Sequence, residues 1–214
     1  MDTLREGGRP VRLRTGTQGD ARFAAELHVE RIQEGFLSQL GAAFLTRLYR
    51  RVVASPDSFL LIADRATEPV GFLAGAIDTG GLYRRFLLRD GVRAGLVAAP
   101  QLVRSLPRVV ETLRYGAQGK GPGPVAELLA VAVSSKVEGE GLGRMLIAAF
   151  FDELSDRGTA AAKVVVGGGN SGAISLYRRA GFGNDEQLEV HRGSRSLVMY
   201  WPTTRSGPIP LDGP

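Results

Sequence analysis

Residues 131–146 read VAVSSKVEGEGLGRML, and this stretch decides the fold. An apolar run, Val131 to Val133, enters a turn with glycines at 139, 141 and 143, and a helical pattern starts at once with Leu142 and Leu146. Alternating glycines let the backbone approach a ligand closely and turn successive N–H groups inward. The first turn of a helix adds unpaired N–H groups and a partial positive charge. Strand, glycine turn and helix start, in that order, make an anion site suited to a pyrophosphate. Its candidate residues are Gly139, Glu140, Gly141, Leu142 and Gly143, with Arg144 positioned to add a charged contact. Two other phosphate motifs do not fit. A P-loop ends in Gly-Lys-Ser/Thr, whereas Gly143 is followed by Arg144 and Met145. A dinucleotide fingerprint places its third glycine three residues after the second, and here the step is from Gly141 to Gly143. Taken alone, the turn is equally compatible with a tight connection that binds nothing.

Elements on either side follow from periodicity. Val125 to Val133 reads as the strand that feeds the turn, and Leu142 to Arg157 as a helix with an apolar stripe of Leu142, Leu146, Ala149, Phe150 and Leu154. Ala162 to Val166 is a buried strand, a helix follows near Gly172 to Ala180, and Gln187 to His191 with Ser196 to Trp201 form a final strand pair. Toward the N-terminus, Val11 to Arg14 is a short strand, and Asp20 is placed to cap a helix running to about Ile32. Leu40, Phe44, Leu48 and Val52 recur every four residues, marking an amphipathic helix that ends near Ser55-Pro56. Phe59 to Ala63 and Val70 to Ile77 read as a hairpin across a polar turn, Asp64 to Pro69. Gly80-Gly81 then opens an arginine-rich insertion, about residues 82–116, helical in pattern and broken at Pro100 and Pro107. Strands first, then strand–helix alternation, indicate a single α/β domain with a mixed sheet over residues 11–201 and a helical insertion between its third and fourth strands. Residues 1–10 and 202–214 are rich in Gly, Pro, Ser and Thr and read as flexible ends.

Composition narrows the function. The 214 residues are 43% hydrophobic and 23% charged, a globular balance. With no cysteine, disulfides, thiolate metal sites and a cysteine nucleophile are excluded from this sequence. No apolar run is long enough for a membrane span, and the first ten residues lack the apolar core of a secretory signal, so a cytoplasmic protein is expected. The net charge is +5, and 24 of the 27 basic residues are arginines. Between Leu82 and Gly116, seven arginines face Asp90 and Glu111, a local excess equal to that of the whole chain. A phosphate- or carboxylate-bearing partner suits guanidinium forks. Without a nucleic-acid motif, however, the spacing along apolar repeats reads as a solvated helix face, and nucleic acid is not the expected partner.

At the glycine turn the chain resembles the GNAT acetyltransferase superfamily. The family's pyrophosphate signature is Gln/Arg-x-x-Gly-x-Gly/Ala at a strand-to-helix junction, and here Glu138, Gly141 and Gly143 occupy its three defined positions. Glu138 departs from the pattern, so its carboxylate has to point away from the phosphates. A second family element, Asn-x-x-Ala-x-x-x-Tyr-x-x-x-Gly-Phe, is met by Asn170, Ala173, Tyr177, Gly181 and Phe182. The segment FLSQLGAAFLTRLYR, Phe36 to Arg50, is also similar to a region of many bacterial members. The resemblance implies acetyl-CoA as co-substrate and direct transfer of an acetyl group to an amine, with no metal. It implies that backbone groups of Val131, Ala132 and Val133 pair with the pantetheine amides as an added strand would. That requires a splayed sheet with a free strand edge. Asn170 and Tyr177 are expected to contact the cofactor.

The chemistry then asks for a base and an acid. The amine must lose a proton and the leaving thiolate must gain one. Glu127 is the candidate base, a carboxylate in the otherwise apolar AELLAVAV run, where burial would raise its pKa. An ion-paired structural glutamate is the alternative. Glu30 and Glu34 are secondary candidates. Tyr177 is the candidate acid; the alternative is a core tyrosine. The expected function is an acetyl-CoA-dependent N-acetyltransferase. A catalytically silent acyl-CoA-binding sensor or interaction module is the alternative. The acceptor is a small-molecule or protein amine whose identity stays open, as does homodimer formation.

Overall fold

The computed structural model describes residues 10–32, 37–90, 126–191 and 194–202. In chain order these hold β1 (Val11–Thr15), α1 (Ala21–Arg31), α2 (Gly41–Ala54), β2 (Ser58–Arg65), β3 (Glu68–Ala76) and α3 (Thr79–Arg89). Then come β4 (Glu127–Val133), α4 (Leu142–Asp156), β5 (Ala162–Gly167), α5 (Ser171–Arg179), β6 (Gly183–His191) and β7 (Ser194–Trp201). The strands form one seven-stranded sheet in the order β1-β2-β3-β4-β5-β7-β6. Every neighbouring pair is antiparallel except β4 with β5.

Helices cover both faces. On one, α1, α2 and α3 bury Leu45, Leu48, Val52, Leu82 and Phe86 against Ile62, Phe72, Ala74, Ala130 and Ala132. On the other, α4 and α5 bury Leu146, Phe150, Leu154 and Tyr177 against Leu61, Leu73, Leu128, Val164 and Met199. The four-residue repeat of α2 predicts this packing, and Phe44, Leu45, Leu48, Tyr49 and Val52 are its buried residues.

Two local readings are corrected. Asp20 sits at the N-cap position of α1, but its carboxylate makes no helix-capping bond there. It accepts instead from the Thr17 N–H at 2.7 Å and from Arg14 Nη1 at 2.8 Å. Arg14 also donates to Asp64, so one guanidinium ties β1 to β2 and to the start of α1. The hairpin turn is only Ala66 and Thr67, shorter than the polar run suggested. Gly80-Gly81, where the helical insertion was expected to open, lie in the first turn of α3, whose N-cap is Asp78, accepting from the Gly81 N–H at 2.8 Å. Of the expected insertion, the structure shows this helix through Arg89. Residues 91–125, with Pro100, Pro107 and the remaining arginines, lie outside the described residues, as do the two ends, 1–9 and 203–214.

Candidate active site at the β4–β5 splay

The site begins where the one parallel pair comes apart. β4 and β5 pair only at Glu127 with Lys163 and Leu128 with Val164. Beyond Leu128, β4 stays bonded to β3, with Val131, Ala132 and Val133 opposite Leu73, Phe72 and Gly71. On its other side no strand follows among the described residues. A register shift between Ala74 and Gly75 leaves Leu129 without a partner, a β-bulge that bends β4 at the fork. The free edge expected at Val131 to Val133 is therefore present.

β4 leads directly to the glycine turn. The Ser134 N–H donates to the Val70 carbonyl at 2.8 Å, and buried Val137 anchors the short 3-10 turn Ser135–Val137. Gly139 and Gly141 have φ of +85° and +81°, a region that residues with a Cβ rarely enter. Gly141 is the N-cap of α4, and the first intrahelical bond runs from the Met145 N–H to its carbonyl. The N–H groups of Leu142, Gly143 and Arg144 thus open the helix without carbonyl partners from a preceding turn. Leu142 is buried and Arg144 exposed.

The second motif packs beside the first. A Cβ built on Gly143 would lie 3.2 Å from Leu176 Cδ2, so α5 crosses close to the α4 N-terminus. Asn170 caps α5, its side chain accepting from the Ala173 N–H at 3.0 Å. Tyr177 is buried, its ring edge-on to Phe182 with centroids 5.8 Å apart, and the Phe182 N–H donates to the Tyr177 carbonyl at 3.0 Å. Burial drives the phenol pKa up, so the hydroxyl holds its proton.

Glu127 stands at the base of the fork on the α1–α3 face. It is half-buried, and burial pushes its carboxyl up to about 7 against the opposing Lys163 charge and a hydrogen bond from Thr79. Tyr83 of α3 is close enough to feel that charge; burial first, and Glu127 second, raise its phenol. Thr79, Tyr83 and Lys163 were not singled out by sequence reasoning. Lys163, a single lysine in an apolar strand next to Glu127's strand, was the one available signal. Of the secondary candidates, Glu30 is exposed on α1 and Glu34 lies outside the described residues.

The two acidic side chains of the turn are both engaged. Glu138 pairs with Arg31 at the end of α1, and Glu140 with Arg65 at the end of β2. Nothing in the sequence couples these residues.

A model of the acetyltransferase (GNAT) family matches residues 29–182, which spans both motifs and the fork. The chain belongs to the GNAT acetyltransferase family. Among curated GNAT-like relatives, the mycothiol acetyltransferase of Rhodococcus opacus is 40% identical over 65 residues, 30% of this chain and 21% of that protein. The ribosomal protein bS18-alanine N-acetyltransferase of Escherichia coli is 35% identical over 79 residues, 37% of this chain and 47% of that protein. The match thus spans less than half the length of either relative. The crystal structure of the Escherichia coli ribosomal-protein-S18-alanine N-acetyltransferase superposes with a TM-score of 0.57 at 15% identity, covering 92% of this chain and 96% of that one. PaiA N-acetyltransferase of Thermoplasma acidophilum, solved with coenzyme A, gives 0.57 at 15% identity, covering 89% and 97%. These likenesses establish the GNAT fold.

A buried histidine lies on α1. His28 Nδ1 lies 2.6 Å from the Tyr49 hydroxyl, and burial lowers the ring to about 4 from an ordinary 6.5. The neutral ring's contribution to stability is fully present above the unfolded value and is lost as pH falls toward the folded one. Urea unfolding should therefore lose up to about 3 kcal/mol between those two pH values, and His28→Gln should flatten that loss. Equal pH slopes in the two proteins would contradict the assignment.

Proposed function

We propose that the chain is an acetyl-CoA-dependent N-acetyltransferase that passes the acetyl group directly to an amine. The observation that carries this reading is the opening of the sheet above Glu127 and Leu128, beside a glycine turn that starts a helix. The free edge of Val131 to Val133 suits the pantetheine amides. The N–H groups of Leu142, Gly143 and Arg144, with the Arg144 guanidinium, suit the pyrophosphate. Asn170, already bonded within its helix, contributes through the position of α5. The coenzyme A bound by the PaiA enzyme supports the same co-substrate here.

The lone pair of the neutral amine forms the new N–C bond at the thioester carbonyl, and Glu127 accepts the proton that the nitrogen sheds as the C–S bond breaks. Tyr177 gives its proton to the leaving sulfur, and the products are the acetylated amine and a free thiol. Glu127 bonds with Thr79 of α3 and Tyr177 packs in the α4–α5 cluster, on opposite faces of the sheet, and in this reading the thioester bound at the splay meets both. The acceptor is a small-molecule or protein amine, consistent with the relatives named for mycothiol and for an alanine of ribosomal protein bS18.

Titration calorimetry with acetyl-CoA tests the co-substrate. Saturable one-to-one binding is expected, and absence of binding contradicts the reading. A silent acyl-CoA-binding module would bind equally well yet release no thiol with any amine. Tyr177→Phe should lower kcat by about 10²-fold with the dissociation constant of CoA nearly unchanged, since only the proton donor is lost and the ring contact with Phe182 remains. Unchanged kcat would remove Tyr177 from the mechanism.

A further inference from the structure

We propose that Arg65 and Arg31 are positioning residues that hold the carboxylates of Glu140 and Glu138 away from the phosphates of acetyl-CoA. The inference rests on the acetyl-CoA reading above. A turn built to receive phosphates carries two acidic side chains, at 138 and 140, within six residues of sequence. Left free, each would oppose the ligand's charge across the same turn.

Neither is left free. Arg65 grips Glu140 with both terminal nitrogens, Nη1 to Oε1 at 3.2 Å and Nη2 to Oε2 closer still. This two-point fork fixes direction as well as distance. The Arg65 Nε is buried without a partner, so the guanidinium is oriented for Glu140 at the expense of its own third donor. The same contact holds the Glu140 carboxyl below its usual range, so it stays charged and stays bound. Arg31 pairs with Glu138 through Nη2. The arginines come from two framework elements, the end of β2 in the sheet and the end of α1 above it. The Glu140 side chain is exposed, and the ion pair with Arg65 is the contact that aims it.

Both pairs are partly exposed, with side-chain exposures of 22% and 40% for Arg65 and Glu140. Exposed pairs add little to stability. The effect should appear in ligand affinity instead, which separates a positioning role from a merely structural one.

A double-mutant cycle on the full chain reads this, with CoA as the titrant and thermal melting as the check on folding. Arg65→Met should weaken CoA binding by about tenfold at low salt, and the defect should shrink as salt rises. Glu140→Gln alone should bind CoA more tightly, by up to about twofold, because the remaining repulsion of its carboxylate is removed. Arg65→Met with Glu140→Gln should recover affinity to within about twofold of the wild type, because no carboxylate remains to be held away. If the double variant binds as poorly as Arg65→Met, then Arg65 touches the phosphates itself and the proposal is overturned. It is also overturned if Arg65→Met binds normally. If the wild type binds no CoA, the acetyl-CoA reading fails first, and that result is distinct from either of these.

Discussion

Glu127→Gln is expected to lower the acetyl-transfer rate at neutral pH by about 10²- to 10⁴-fold, the usual worth of a positioned general base. The wild-type pH profile should carry the signature of the same group. Only the carboxylate can accept a proton, and burial raises Glu127 to about 7. The rate should therefore climb through that pH and level off above it, instead of levelling near the ordinary carboxylate range. In the glutamine variant this limb should vanish. Lys163 and the Thr79 hydroxyl keep the shift from going further, since both favour the charged form. The linkage sign gives a control. A carboxyl whose folded-state pKa is raised contributes stability below its unfolded value and loses it as pH rises through the folded one. Glu127→Gln should thus be no less stable than the wild type at pH values above about 7, so lost activity cannot be blamed on unfolding. A variant with wild-type rate and an unchanged limb would assign the base elsewhere.

Gly141→Asp is expected to weaken CoA binding by at least about 10²-fold. Two costs combine. At a φ of +81°, a side chain holds the backbone in a region that costs roughly 1–3 kcal/mol for most residues. A carboxylate at the N-cap of α4 then faces the phosphates that the helix N-terminus attracts. Gly141→Asn separates the two, because asparagine tolerates the left-handed conformation about as well as aspartate and carries no charge. Calorimetry should find the asparagine variant much closer to the wild type. Similar losses in both would attribute the effect to backbone strain alone. Gly143 is the poorer probe. Its added Cβ would press on Leu176 Cδ2 and disturb the packing of α4 on α5 as well as the site.

Local patterns carried most of the fold. The glycine turn between β4 and α4, the two spaced motifs, the hairpin and the stripe of α2 were all legible, because each depends on residues near one another in sequence. What escaped was set by tertiary contacts. Strict alternation along AELLAVAV would put Glu127, Leu129, Val131 and Val133 on one face. The bulge at Leu129 breaks that parity. Leu129 packs with the α1–α3 cluster, while Val131 and Val133 pack with the α4–α5 cluster. Glu127 consequently meets Thr79 and Tyr83 of α3. The insertion of β7 between β5 and β6 has no sequence signal either. The expectation that Glu138 turns from the phosphate path has a partner in Arg31, which lies 107 residues away in the chain. Arg85, whose spacing reads as part of a solvated helix face, instead pairs with Asp57 and donates to the Ser55 hydroxyl at 3.1 Å. It is spent on the junction of α2, β2 and α3.

Acetyl transfer at the β4–β5 splay can be read by a product-resolved thiol-release assay. Purified protein would be incubated with acetyl-CoA and a panel of amines that includes amino sugars, polyamines and peptides with free N-termini. Free thiol and acetylated amine would be followed together. Thiol release is expected to depend on an amine, to match the acetylated product one for one, and to be lost in Glu127→Gln. Tight CoA binding with no amine-dependent thiol release across the panel would contradict acetyl transfer and leave a binding module in place of an enzyme.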